Sequence, residues 1–259
     1  MARAAMARKA KAVRVLVAGE SWTTHSIHIK GYDSFETSSY TEGGTEMIAA
    51  LRAGGIHVTY QPAHVAMNEF PATVDAFRAF DVVFLSDIGA NTLLLPHATF
   101  ARSEPTPNRL KAIRAFVEGG GGLLMIGGYL TFQGIQAKGN YHGTDVEAVL
   151  PVVFDAGDDR RERPEGVRPS IDKRRHPAMA GLSRWPAFLG YNRATARSDA
   201  EVLATVDGDP FVAVREIGKG RSAIFASDCG PHWGPPAFLA WPGYGRLWCN
   251  LANWLAGRL

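Results

Sequence analysis

Cysteine is scarce in this chain. Cys229 and Cys249 are the only two, and no C-x-x-C pair exists. Two isolated thiols exclude a disulfide framework, a zinc ribbon, an iron–sulfur cluster and thioredoxin-type redox chemistry, and point to a reducing, cytoplasmic setting. Long apolar runs are missing too. No stretch approaches the roughly 18 apolar residues of a membrane span, so no membrane partner is expected. Charge of one sign is also lacking. The net charge is +3, too small to argue for a nucleic-acid partner. Part of that excess sits in Arg3, Arg8, Lys9 and Lys11. Residues 1–12 read as a flexible basic tail without the apolar core of a secretory signal. There is no H-E-x-x-H, and Gly218-Lys219-Gly220 lacks the upstream glycine spacing and the following helix of a phosphate loop, so it reads as a hairpin turn.

What is present is a well-supplied core. Hydrophobic residues make up 46% of the 259 and charged residues 20%, which suits a single domain over residues 13–259. The pattern in the first half alternates strand and helix. Apolar runs at 13–17, 56–60, 81–86 and 123–126 read as buried strands. Between them, Thr41 is expected to cap a helix carrying Met47, Ile48 and Leu51. Phe70, Val74 and Phe77 mark a short second helix. Thr106 with Pro107 opens a third, with Leu110, Ile113, Phe116 and Val117 as its apolar stripe. Such an order implies an α/β fold with a mostly parallel sheet and right-handed crossovers. Residues 155–185 are a polar excursion whose charges alternate in sign, expected to be solvated. Strands at 202–206, 211–214 and 222–227 and a final amphipathic helix with Leu247, Leu251, Trp254 and Leu255 complete the chain.

In open α/β sheets the ligand crevice lies beyond the carboxyl ends of the strands. That rule selects the candidate site. After the first strand come Glu20, Trp22 and His25; His25 and His28 would share a face if this segment were helical. After the third come Asp87 and Asn91. After the fourth come Gly127, Gly128 and Tyr129, read as a sharp strand-to-helix corner that exposes its central side chain and aims backbone N–H groups at an incoming oxyanion. The late segment "SDCGPHWGP" offers Asp228 to orient His232 as a base, with Trp233 as a rigid aromatic wall. His142 opens a further helix. Glu20, Tyr129, Asp228 and His232 are the candidate catalytic groups. Gly127, Gly128, Trp22, His25, Asp87, Asn91, His142 and Trp233 are the candidate substrate contacts. No cofactor is expected, and a divalent metal held by His and Asp from this set is the alternative.

With these segments in view, the chain resembles a family of bacterial cytoplasmic proteins described as "putative glutamine amidotransferase", within the class I glutamine amidotransferase-like superfamily. The resemblance rests on "AGESW", "KGYDSF", "DVVFLSDIGANTLLLP", "GGGLLMIGGYLTFQGI", "YHGTDVEAVLPV", "DDRRERPEG" and "DCGPHWGP". It implies a flavodoxin-like three-layer sandwich, with Tyr129 at the corner where the superfamily carries its cysteine. His232-Trp233-Gly234 stands where the His-x-Glu pattern would be. Glutamine hydrolysis of the usual kind needs a thiolate activated by a His–Glu pair. The expected function is therefore acid–base chemistry, hydrolase or isomerase in type, on a small polar metabolite. A non-catalytic metabolite-binding or regulatory module is the first alternative. A true amidotransferase using Cys229 is the second. A homo-oligomer is expected by default.

Overall fold

The computed structural model describes residues 11–259. Most of the expected basic tail, residues 1–10, lies outside them. The chain opens with β1 (Arg14–Gly19), followed by a hairpin of β2 (Ser21–Lys30) and β3 (Asp33–Glu42). Next come α1 (Thr45–Ala53), β4 (His57–Gln61), α2 (Ala63–Glu69), α3 (Val74–Phe77) and β5 (Val82–Ser86). α4 (Ala90–Leu94), α5 (His97–Arg102) and α6 (Arg109–Glu118) lead into β6 (Gly122–Ile126). α7 (Asp145–Val149), β7 (Val152–Phe154), β8 (Arg160–Val167), β9 (Ser170–Ile171), β10 (Phe188–Asn192) and β11 (Ala194–Ala196) form the middle of the chain. β12 (Glu201–Val206), β13 (Asp209–Ile217), β14 (Gly220–Phe225), α8 (Pro236–Leu239) and α9 (Tyr244–Leu255) close it.

The central sheet has eight strands in the order β4-β1-β5-β6-β14-β13-β12-β9. Every pairing from β4 through β14 is parallel, and every one beyond β14 is antiparallel. Strands β1, β5 and β6 are buried almost throughout, as expected of parallel strands covered by helices on their faces. Helix α9 packs on β6 and β14 through Leu247, Trp248, Leu251 and Leu255, all buried. Phe188, Phe211, Phe225 and Phe238 cluster with Trp185 and Trp248 under the antiparallel half.

Several local expectations need correction. Thr41 lies within β3, and α1 starts after Gly44 with no side-chain cap. The cap of α6 is Asn108, whose Oδ1 accepts from Leu110 and Lys111 N–H, not Thr106. An asparagine directly before the helix satisfies two free N–H groups that a threonine two residues earlier cannot reach. Val74 is exposed. The segment after Glu20 is not helical. Residues 21–42 form a long hairpin turning at Gly31-Tyr32, with Lys30 opposite Asp33. Gly31 takes φ +65°, as the first position of a two-residue hairpin turn favours. No helix follows β6 directly either. The chain bends through residues 128–133 before a short 3-10 turn at Ile135–Ala137. The polar excursion is partly ordered into β8, which pairs antiparallel with β10.

Candidate active site

Four neighbouring strands of the sheet deliver the site. Glu20 follows β1, Asp87 follows β5, the Gly127-Gly128-Tyr129 segment follows β6, and Asp228 lies just beyond β14. The chain leaves β1 toward β4 on one side and reaches β5 on the other, so Glu20 and Asp87 flank the point where the strand order switches. Ligand crevices of open α/β sheets open at such points. The crevice here is a cavity of about 300 Å³ lined by Glu20, Trp22, Asp87, Tyr129, Asp228, Pro231 and His232.

The backbone is forced into unusual conformations to bring these groups together. Glu20, Asp87 and His232 all have positive φ, at 50°, 44° and 113°. Non-glycine residues held this way cost on the order of 1–3 kcal/mol each and concentrate at functional sites. Two glycines make the convergence sterically feasible. A Cβ on Gly19 would lie 2.0 Å from the Ser86 carbonyl oxygen, which accepts the Glu20 N–H at 2.7 Å. A Cβ on Gly128 would lie 2.8 Å from Asp228 Oδ1 and 3.1 Å from Asp87 Oδ1. Gly128 thus lets two carboxylates approach over its bare α-carbon.

The electrostatics follow from that crowding. Burial, with Asp87 and Asp228 nearby, pushes Glu20 up to about 8, so it is predominantly protonated at neutral pH. Its Oε2 accepts a short 2.5 Å hydrogen bond from Ser86 Oγ. Burial and the Asp228 charge raise Asp87 to about 6, against the pull of the Leu130 N–H and His232. The Leu130 N–H donates to Asp87 Oδ1 at 2.8 Å. Asp228 is raised by burial, opposed by its bond to His232. His232 Nδ1 and Asp228 Oδ2 are 2.7 Å apart, and the Trp233 N–H donates to the same oxygen. Burial disfavours the imidazolium, yet the Asp228 bond and the charges of Asp228, Glu162 and Asp87 raise His232 overall. The result is an oriented histidine beside two carboxyl groups whose affinities for protons are well separated.

The Gly127-Gly128-Tyr129 segment does not form an open oxyanion site. The Gly127 N–H donates to Phe225 O, Gly128 N–H to Asn192 Oδ1 and Leu130 N–H to Asp87. Tyr129 is a wall: its ring meets His232 edge to face at 4.2 Å, and its hydroxyl donates to Glu162 at 3.1 Å. Burial and that carboxylate raise the phenol further, which keeps it neutral. Arg160 stacks over the ring at 4.5 Å, and Trp233, fully buried behind it, donates its indole N–H to Glu162.

Glu162 and Arg160 therefore brace the Tyr129 and Trp233 side of the crevice, a placement that the alternating charges of the excursion concealed. The signal for them was the strand-like spacing of Arg160 and Glu162, which puts both on one face of β8. Other candidates fall elsewhere. His25 is exposed on β2, bonded to Ser38, and on a strand it cannot share a face with His28. His142 sits beside Glu147, 3.4 Å away. Asn91 is on α4 next to Asn140. Cys229 is fully buried, and burial near Glu20 and Asp228 pushes its thiol well up. Among the described residues, no group of three or more His, Cys, Asp or Glu is arranged to hold a metal ion.

Comparison with known proteins decides the lineage. The family model described as "Putative glutamine amidotransferase" matches residues 14–257. The chain belongs to this amidotransferase-like family. Among solved structures, a cytoplasmic protein of Salmonella typhimurium is 48% identical, covering 93% of this chain and 98% of that one at a TM-score of 0.91. Another from strain LT2 is 44% identical, covering 94% and 99%, also at 0.91. A "thua-like" protein of Parabacteroides merdae shares the fold at a TM-score of 0.56 and 12% identity, covering 95% and 90%. No curated protein matches significantly. Membership of the amidotransferase-like family fixes ancestry, whereas the activity must be argued from the site.

Proposed function

We propose that this protein is an acid–base enzyme, hydrolase or isomerase in type, acting on a small polar metabolite in the crevice at the strand carboxyl ends. The observation that carries this reading is the His232–Asp228 pair facing Glu20 and Asp87, whose proton affinities are displaced to about 8 and about 6. Groups pushed apart in this way supply a proton donor and a proton acceptor in one cavity near neutral pH. In this scheme His232 removes or delivers the proton, Asp228 sets its tautomer, and protonated Glu20 is the acid. Trp22 and Tyr129 hold the substrate by its faces.

Acyl transfer through a thiolate fits poorly. Cys229 is kept as a thiol by burial, and the Gly128 and Leu130 amides after β6 are committed within the protein. That commitment also favours the second reading, a metabolite-binding module without turnover. A metal-assisted variant finds no ligand set among the described residues; elemental analysis of protein purified without chelator addresses it directly. The eight-stranded sheet with α9 and α6 against it supports a flavodoxin-like three-layer sandwich in one domain. Cytoplasmic residence is supported by the two Salmonella relatives being described as cytoplasmic. A homo-oligomer is proposed from the projecting hairpin, which exposes Ile27, Ile29 and Phe35.

The deciding experiment is a metabolite screen by thermal shift, followed by turnover assays with His232→Ala and Tyr129→Phe. A ligand whose turnover is lost in His232→Ala supports the enzyme. A ligand that binds at this cavity with no chemical change over hours supports the binding module instead.

A further inference from the structure

The hydrogen-bonding inventory of the cavity narrows the chemistry of its ligand. Glu20 and Asp228 both line it while being only 5% and 6% exposed. Ser86 bonds Glu20 at Oε2 alone, and His232 and Trp233 both bond Asp228 at Oδ2. Glu20 Oε1 and Asp228 Oδ1 are left without an N–H or O–H donor among the described residues. The unpartnered polar side-chain atoms that are sealed from solvent lie elsewhere, on Gln61, Trp185 and Trp248. The two carboxyl oxygens are therefore reached through the cavity. Asp87 adds a third carboxyl group. No Lys or Arg is among the lining residues, and Arg160, over the Tyr129 ring, is committed to Asp158 and Glu162.

We propose that the ligand of this cavity is a cationic amine, whose N–H groups bond Glu20 and Asp228 while its carbon skeleton lies against Trp22 and Tyr129. This identity rests on the acid–base reading of the site, with Glu20 giving up its proton as the amine binds and His232 left to move protons in the bound state. Asp228 Oδ1 is a buried acceptor left unpaired, which is costly, and a ligand rich in donors removes that cost; Glu20 becomes a second acceptor once it releases its proton. An anion would meet three acids, and His232, the one basic side chain in the lining, is already paired with Asp228. A neutral polyol would supply donors but leave the repulsion among the carboxyl groups in place. A cation relieves it, and Trp22, partly exposed in the lining, offers a ring face of the kind cations favour, whereas Arg160 already covers one face of Tyr129.

The linkage has a definite sign. Glu20 faces Asp87, Asp228, Ser86 and Cys229. Asp87 faces Asp228 and His232, and Asp228 faces His232 and Glu162. Glu20 and Asp87 hold protons in the empty cavity up to about pH 8 and about pH 6. An amine that binds their ionised forms must displace those protons, so its affinity rises with pH across this window. Release of one proton corresponds to about tenfold per pH unit. A neutral ligand gains nothing from that release.

The test uses the full chain and three four-carbon probes: the diamine putrescine, neutral butanediol and the anion succinate. Titration calorimetry from pH 6 to pH 8 is expected to rank putrescine first, with affinity rising by about tenfold or more. Buffers of different ionisation enthalpy should report proton release. Glu20→Gln, and Asp87→Asn as a second variant, should flatten the pH dependence. Butanediol or succinate ranking ahead of putrescine, with binding still lost in His232→Ala, overturns the amine and leaves the acid–base site standing. Binding of putrescine that is indifferent to Glu20, Asp228 and His232 overturns both.

Discussion

Two sets of buried acids in this molecule look alike in burial and differ in what their oxygens receive. Asp159 is fully buried. It accepts from Gln133 N–H at Oδ2, and from Gly134 N–H and Asn192 Nδ2 at Oδ1, all within 2.9 Å. Glu147, also buried, accepts from the Gly143 and Phe154 N–H groups on separate oxygens. These carboxylates are used up by the fold. Asp159 and Asn192 together fix the loop after β6, since Asn192 bonds both the N–H and the carbonyl of Gly128. Glu20 and Asp228 each keep one oxygen without such a donor, and both face the cavity. Saturation by backbone donors marks a structural acid, and an oxygen left over marks one available to a ligand.

That contrast can be broken by substitution. The largest effect is expected at the site. Asp228→Asn removes the charge that orients His232 and should lower turnover of the metabolite found by screening by roughly 10²–10⁴-fold. Asparagine keeps the shape and an acceptor for the Trp233 N–H, so the stability loss, read from denaturant midpoints, should stay below that of Asp159→Ala. A stability loss as large as the activity loss would place Asp228 with the structural set. Next comes Asp159→Ala, which strands three buried donors and should cost about 2–4 kcal/mol in urea unfolding. A neutral result there would show that saturation is not what holds the loop.

The smallest effect distinguishes the sets by pH. Glu20 has its proton affinity raised in the folded state to about 8, from 4.5. Its contribution to stability is therefore complete below about pH 4.5 and is lost as pH rises through 8. Glu20→Gln mimics the protonated form. It should leave stability near pH 4.5 almost unchanged and remove part of the decline between about pH 4.5 and about pH 8, measured as Tm against pH. Parallel curves for the two proteins would move Glu20 out of the set of acids that face the cavity and into the structural set.

Much of the frame was legible in the chain. Val15, Leu16 and Val17, or Leu123 to Ile126, are apolar runs too short for helices and bounded by glycine, and parallel buried strands leave that imprint. The segments beyond those strands, joined by the late segment that holds Asp228, could then be placed at one crevice, which brings Glu20, Asp87, Tyr129 and Asp228 together. The hairpin was harder to read. Its strands are exposed on both faces, so no solvent-facing alternation separates "TTHSIHIK" from a polar helix. Glu162 was hidden for another reason. Its partners Tyr129 and Trp233 are distant in sequence, and only the β8–β10 pairing carries it to them.

The loop after β6 has a consequence for anyone hoping to install glutaminase activity. A cysteine substituted at Tyr129 would stand between Gly128, whose N–H belongs to Asn192, and Leu130, whose N–H belongs to Asp87. The thiol would arrive at a corner whose anion-stabilising donors are already spoken for by the protein's own side chains. Engineering that reaction here is a problem of several coupled positions, and no single substitution crosses the gap.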